Sequence, residues 1–270
     1  LLCDGGRCMS VERGIAVADR KRLAPPLPND RVLSVDGGVE RGVERGVDWG
    51  IVGDAATTAA AARYHRWKRI LDIALVSLAL IPLSVVMLFT AFAVWADSPG
   101  PILFRQKRIG LNGVEFVMYK FRSMYHGSSA AAHHAATTQF IQGGVINEGD
   151  DEMPYKLGND YRITPVGKLI RKTSLDELPQ LWNVLRGEMS IVGPRPPLDY
   201  EVALYSERDL LRLSSKPGLT GPWQVYGRGR VTFQQMVEQD IAYVANTSVL
   251  YDIKLMLLTI PVLITGRGGA

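Results

Sequence analysis

Asp176 and Glu177 stand side by side in the stretch TSLDELPQLWNVL, residues 173–185, with Pro179 three residues after the aspartate. Two kinds of chemistry fit such a pair. The first is helix capping. Ser174 and Glu177 have capping-box spacing, in which each side chain satisfies a free backbone donor of the other residue. Pro179 disturbs that frame, because it would fall fifth in the helix. With Asp176 as cap it falls third, where no intrahelical donor is required. In either frame both carboxylates lie in the positive field of a helix start, which favours their ionised forms. The second is phosphoryl chemistry. Arg171 and Lys172 precede the pair, Arg195 follows in GPRP, Lys120 and Arg122 lie in YKFRSM, and Arg228 and Arg230 lie in a Gly-rich segment. An ionised carboxylate among cations suits a phosphorylated substrate, a divalent metal, or both. A carboxylate can also attack phosphorus itself, forming an acyl phosphate.

The elements that would hold these residues can be read from patterning. ILFRQKRIG and VEFVMYKFRSM read as strands joined by an LNG hairpin turn. Helices are expected at about 165–172, 176–187, 197–214 and 232–245, with an irregular Gly-rich stretch at 216–230. Residues 126–160 read as a polar loop. Its His133 and His134 are expected to be solvated, and Asp150, Asp151 and Glu152 to be a charged surface. The segment 249–266 carries an uncharged run, Leu255 to Thr265, too short to span a bilayer, and reads as an interfacial or core helix.

Composition narrows the class. The 270-residue chain has room for a sizeable core, and its net charge of +4 is too small to argue for nucleic acid. Its two cysteines, Cys3 and Cys8, leave the rest of the chain free of thiols, which fits a reducing compartment, and the first twenty residues show no secretory signal. Residues 1–62 hold APPLPND, a Val-Glu-Arg-Gly repeat and an Ala/Thr run, and read as a disordered tail.

Ile73 to Ala96 is different: 24 residues without a charge, preceded by Arg63, Arg66, Lys68 and Arg69 and followed by Arg105, Lys107 and Arg108. Its length would span a bilayer. Pro82 near the middle predicts a kink, and basic flanks at both ends want the same cytoplasmic side. A helix that breaks at Pro82 and returns satisfies both, each arm of about 12 residues reaching about 18 Å into a core about 30 Å thick.

SLDELPQLWNVLRGEMSIVGPRP, with YKFRSM before it and KPGLTGPWQVYGR after it, resembles the bacterial sugar transferase family of monotopic phosphoglycosyl transferases, from about Trp67 to the C-terminus. The resemblance implies an α+β fold. A basic lead and re-entrant membrane helix would occupy 63–100, and a small cytosolic catalytic domain with interfacial amphipathic helices would occupy 101–270. It implies that Asp176 attacks the sugar-linked phosphate of a UDP-sugar, that Glu177 binds Mg²⁺, and that Arg171 and Arg195 bind phosphate and nucleotide. Gln224 and Arg228 fall in the family's Gly-rich motif, and Lys120 and Arg122 join the substrate-binding set. The acceptor would be undecaprenyl phosphate, the product an exopolysaccharide precursor, the donor UDP-galactose or UDP-glucose, and the location the cytoplasmic face of the bacterial inner membrane. A homodimer is compatible with this picture. Competing readings are a non-catalytic membrane scaffold and a UDP-releasing glycosyltransferase, although the Asp-X-Asp metal motif usual in the latter is missing. Two departures stand out. Ile81 replaces the serine that often precedes the helix-breaking proline, leaving Ser77 or Ser84 to satisfy a freed carbonyl, and the 126–160 loop is long.

Overall fold

A computed structural model describes residues 59–128, 131–143, 160–226 and 231–264. The expected disordered tail lies outside them except for its last four residues, which begin the first helix. That helix, α1 (Ala59–Asp97), is 39 residues long and continuous through Pro82. The hairpin β1 (Leu103–Ile109) and β2 (Glu115–Phe121) follows, antiparallel with Phe104 opposite Lys120. Asn112 at φ 52° and Gly113 at φ 77° supply the left-handed backbone of its LNG turn. Next come α2 (Ala131–Ile141), α3 (Pro165–Lys172), a 3₁₀ turn (Leu175–Glu177) and α4 (Gln180–Arg186). The chain continues through β3 (Ser190–Val192), α5 (Asp199–Val202), α6 (Glu207–Leu210) and a second 3₁₀ turn (Leu211–Ser214). It ends with β4 (Gly218–Thr220), α7 (Pro222–Tyr226), α8 (Phe233–Ala245) and α9 (Val249–Ile264). β3 and β4 pair in parallel.

Local signals set several boundaries. Thr164 accepts from the Gly167 amide and Pro165 occupies the first turn, so α3 begins where expected. Thr232 and Gln235 form a capping box that starts α8. The helix expected at 197–214 is instead three short pieces, and the expected loop at 126–160 contains α2.

One stripe of α1 packs on the body over the whole apolar stretch. Val76, Leu80 and Leu83 pack with Phe116, Met118 and Val184, and Met87, Ala91 and Val94 pack with Phe121 and Ile170. Their spacing keeps them on one helical face. The rest of the helix is bare: Leu78, Ile81, Leu88 and Phe89 are each more than two-thirds exposed. Both ends are fastened. Near the start, Lys68 Nζ donates to Asp252 Oδ2 at 2.7 Å, Arg69 donates to the Val184 and Leu185 carbonyls, and Asp72 accepts from Ser190 Oγ at 2.8 Å. At the far end the buried Arg122 donates to Val94 O at 3.1 Å and Ser98 O at 2.5 Å, and to Pro101 O at 2.6 Å.

The assignment of Arg122 to substrate is therefore corrected. Its guanidinium closes the carbonyl end of α1, where a cation is favoured by the exposed C=O groups. Arg122→Met should lower unfolding stability by about 2–3 kcal/mol, since charged hydrogen bonds to buried carbonyls are lost. A thermal melt tests this, and unchanged stability in the variant would return Arg122 to the residues expected to bind substrate.

Candidate functional site

α3 stops at Thr173, whose hydroxyl donates to Leu169 O at 2.8 Å, and Ser174 turns the chain in the left-handed region at φ 56°. That reversal, with Leu175 and Leu178 packed beside Ile170, seats Asp176 and Glu177 in a 3₁₀ turn ahead of α4. Neither capping frame forms. Ser174 makes no side-chain cap bond, and Pro179, which precedes α4, offers none. Asp176 is 3% exposed, and its Oδ1 has no hydrogen-bond partner among the described residues. Burial pushes its pKa up to about 6, with Glu177 adding to the rise and Lys120 and Arg171 opposing it. This corrects the expectation that the carboxylate simply sits in a favourable field.

Glu177 is treated oppositely. Lys120 Nζ, on β2, donates to its Oε1 at 2.7 Å. Burial alone would raise Glu177, but Lys120, with Arg195 and Arg108 behind it, holds it below the usual carboxylate range. Lys120 is placed by Asn183, wholly buried in α4. Its Oδ1 accepts from Tyr119 N at 3.2 Å, and its Nδ2 donates to Val117 O and Glu188 Oε2, each at 2.7 Å.

Arg195 sits in a turn whose successive carbonyls are all held. Gly218 N donates to Pro194 O at 2.8 Å, Arg212 Nη2 to Arg195 O at 3.4 Å, Arg108 Nη1 to Pro196 O at 2.9 Å, and Ile109 N to Pro197 O at 3.0 Å. Gly218 has to be glycine, since a Cβ there would lie 2.1 Å from Gly193 N. Behind the turn, Arg212 and Asp240 form a buried ion pair at 2.5 Å, and Arg212 also donates to Tyr205 Oη at 2.9 Å.

The structure thus gathers Asp176, Glu177, Lys120, Arg171 and Arg195. Gln224 donates its amide to Leu219 O at 3.2 Å, and Arg228 lies outside the described residues. The patterning missed Arg108, Asn183 and Arg212. Only Asn183 left a local trace, as a polar residue among the apolar positions of α4. His133 is also corrected. It is half-buried on α2 and lines a pocket with Thr137, Arg195, Tyr205 and Arg212. Burial first, then Arg195, Arg108, Arg162 and Arg171, push its pKa down to about 4, so it stays neutral. His134 is exposed, its ring 4.1 Å from that of Tyr200.

No cluster of three or more metal-ligating side chains exists among the described residues. Glu177, which Lys120 engages through Oε1, still fits Mg²⁺, which takes one or two carboxylates together with water and substrate phosphate.

The bacterial sugar transferase family model matches residues 63–266. The chain is 41% identical over 203 residues to the galactosyl transferase CpsE of Streptococcus agalactiae serotype III, covering 75% of this chain and 43% of that protein. It is 40% identical over 202 residues to the exopolysaccharide production protein ExoY of Sinorhizobium fredii, covering 75% and 87%. It is 41% identical over 203 residues to the undecaprenyl-phosphate galactose phosphotransferase of Salmonella typhimurium, covering 75% and 41%. The chain spans less than half the length of the first and third of these and most of the second.

Proposed function

The chain belongs to the bacterial sugar transferase family, and on that footing we propose that it moves a sugar 1-phosphate from a UDP-sugar to undecaprenyl phosphate, releasing UMP. UDP-galactose or UDP-glucose is the donor, and the product enters exopolysaccharide or related glycan synthesis. The observation that carries this reading is Asp176: buried, unpartnered at Oδ1, and flanked by the Glu177–Lys120 pair. A capping or merely structural aspartate has no need of that isolation.

In the proposed reaction an Asp176 oxygen bonds to the sugar-bearing phosphorus. The bridging P–O bond breaks, and its electron pair leaves with UMP. The acceptor's phosphate oxygen then attacks the same phosphorus and returns Asp176 as a carboxylate. Arg171 and Arg195 offset the diphosphate's charge, without which an anionic nucleophile is repelled. Glu177 would hold Mg²⁺, which would supply further charge neutralisation at the diphosphate. A pKa near 6 leaves Asp176 about nine-tenths ionised at pH 7 while making it a stronger base than an ordinary carboxylate. Protonation removes the nucleophile, so kcat/KM for the donor should fall about tenfold per unit below about pH 6. A pH profile flat down to pH 4.5 would contradict that role.

The acceptor is a lipid, and α1 offers the membrane attachment. Its uncharged 24 residues measure about 36 Å, more than the bilayer core of about 30 Å, and its apolar surface is largely bare. Both ends are nevertheless bonded to one body through Lys68, Arg69, Asp72 and Arg122. A span would put the ends on opposite sides of the membrane, so the arrangement favours a helix that enters and stays on the cytoplasmic face. Arg63→Cys and Lys107→Cys should both resist an impermeant thiol reagent applied to intact cells and react after lysis. Labelling of only one in intact cells would establish a span.

The decisive assay uses detergent-purified protein with Mg²⁺, undecaprenyl phosphate and a panel of UDP-sugars. UMP release with a galactose or glucose donor is the expected result. UDP release would make the protein a glycosyltransferase of another kind, and no release with any donor would favour the scaffold reading.

A further inference from the structure

α4 carries two buried amides one turn apart, and they are treated unequally. Asn183 uses its carbonyl and amide fully, bonding Tyr119 N, Val117 O and Glu188 Oε2. Gln180 is 3% exposed, and its Nε2 has no hydrogen-bond partner among the described residues. A buried amide donor without an acceptor costs about 1–3 kcal/mol, so its presence calls for an explanation.

The place suggests one. Leu178 N donates to Leu175 O and Leu181 N to Leu178 O, so the backbone from the 3₁₀ turn into α4 winds as one helical path. Positions 176 and 180 are four residues, little more than one turn, apart on that path. Asp176 Oδ1 is the other orphan there, an acceptor, and it is not bonded to the Gln180 donor. Two complementary groups that decline each other's company in a dry site fit a ligand placed between them. That ligand must present an electrophilic atom to the carboxylate and an acceptor oxygen to the amide. A phosphoryl group has both. A metal ion does not meet the second requirement, because an N–H cannot ligate it.

We propose that Gln180 is a catalytic residue of the phosphoryl transfer, donating from its side-chain amide to a non-bridging oxygen of the phosphoryl group that Asp176 attacks. The inference rests on the phosphoryl-transfer reading given above and adds a residue to it. Gln180 moves no proton. One bond forms from the Asp176 oxygen to phosphorus, one breaks from phosphorus to the bridging oxygen, and UMP leaves with the electron pair. The amide stabilises charge on the equatorial oxygens during that exchange, where preorganised donors in a water-poor site act most strongly. Ground-state binding of the diphosphate falls to the arginines. Losing the amide should therefore lower kcat far more than it raises KM.

The same orphan donor supplies a test that separates chemistry from structure. Replacing an unpaired buried amide by an apolar side chain of similar shape is neutral or stabilising when the amide has no other role. Gln180→Met should therefore melt at or above the wild-type temperature, yet release UMP about 100-fold more slowly in a single turnover with UDP-sugar and Mg²⁺. Its donor KM should stay within about threefold of wild type. Gln180→Glu keeps the shape, loses the donors and sets a negative charge beside the phosphate, so its loss should be larger still. It also covers the case in which the methionine variant fails to fold. Wild-type rates in the folded Gln180→Met protein, or a loss no greater than its unfolded fraction, would overturn the proposal alone. Wild-type protein that releases no UMP would overturn the phosphoryl-transfer reading and this proposal with it.

Discussion

Asp176→Asn should reduce UMP release by at least about a thousandfold and leave folding and membrane association intact. The size follows from the role. An amide oxygen cannot form the acyl phosphate, and no neighbouring carboxylate is free to replace it, because Lys120 engages Glu177 at 2.7 Å. Preserved folding follows from the surroundings. Asp176 makes no cap, and its Oδ1 has no partner among the described residues, so the substitution breaks no bond that ties one element to another through that oxygen. The charge effect has a definite sign. Burial raises the folded-state pKa of Asp176 above its ordinary value, to about 6, so the folded protein disfavours the ionised form. The stability this group lends is present below the unfolded value and is lost as pH rises through about 6. At pH 7 a neutral asparagine escapes that penalty, and the variant should melt at or above the wild-type temperature. Full turnover in the variant would remove the covalent step. A melting temperature well below wild type would make Asp176 a structural residue after all.

The residues proposed to do the chemistry are legible in the sequence because their signals are local. Asp176, Glu177, Arg171 and Arg195 lie within 25 residues of one another in a dense motif, and Lys120 sits on a strand whose alternation is easily read. The residues that position them were not legible, because their partners are far away in sequence. Arg108 reaches Pro196 O across 88 residues, and Arg122 reaches Val94 O across 28. Nothing in YKFRSM distinguishes a lysine that faces the site from an arginine that closes another helix. The capping-box spacing of Ser174 and Glu177 misled for the same reason. Lys120, 57 residues away, takes the glutamate, and the serine is spent on a left-handed turn.

Pro82 does not end its helix. A proline removes one backbone donor and crowds the preceding turn, which ordinarily argues for a break. Here the contacts of Val76, Leu80 and Leu83 before it and of Met87, Ala91 and Val94 after it fall on one stripe against the same body. The helix thus packs on both sides of the proline, and Ser84 Oγ donates to Ile81 O at 2.8 Å. That bond does not reach the Leu78 carbonyl, the one that the missing Pro82 N–H leaves free, so the serine does not play the part expected of it. The apolar run therefore serves two surroundings, protein on one stripe and a bare apolar surface on the others.

Arg212→Met should be the most destabilising single change in the domain. Arg212 and Asp240 are 2% and 0% exposed and 2.5 Å apart, and removing one member leaves a buried charge alone, at a cost of about 3–5 kcal/mol. Even with its partner, Asp240 is pushed up to about 6, first by burial, with Arg212 pulling against it. The double variant Arg212→Met/Asp240→Leu should recover most of the lost stability, because two apolar side chains avoid the desolvation of two ions. Activity should not recover in parallel. Arg212 Nη2 also holds the Arg195 carbonyl at 3.4 Å, and both variants lose that bond. The double variant should therefore be stable yet show a donor KM raised severalfold, with kcat less affected. If KM returns to the wild-type value, the bonds from Gly218, Arg108 and Ile109 suffice to aim Arg195, and the buried pair serves stability alone. If the double variant melts as low as the single one, packing around Tyr205 and Phe233, rather than the stranded charge, is the source of the loss.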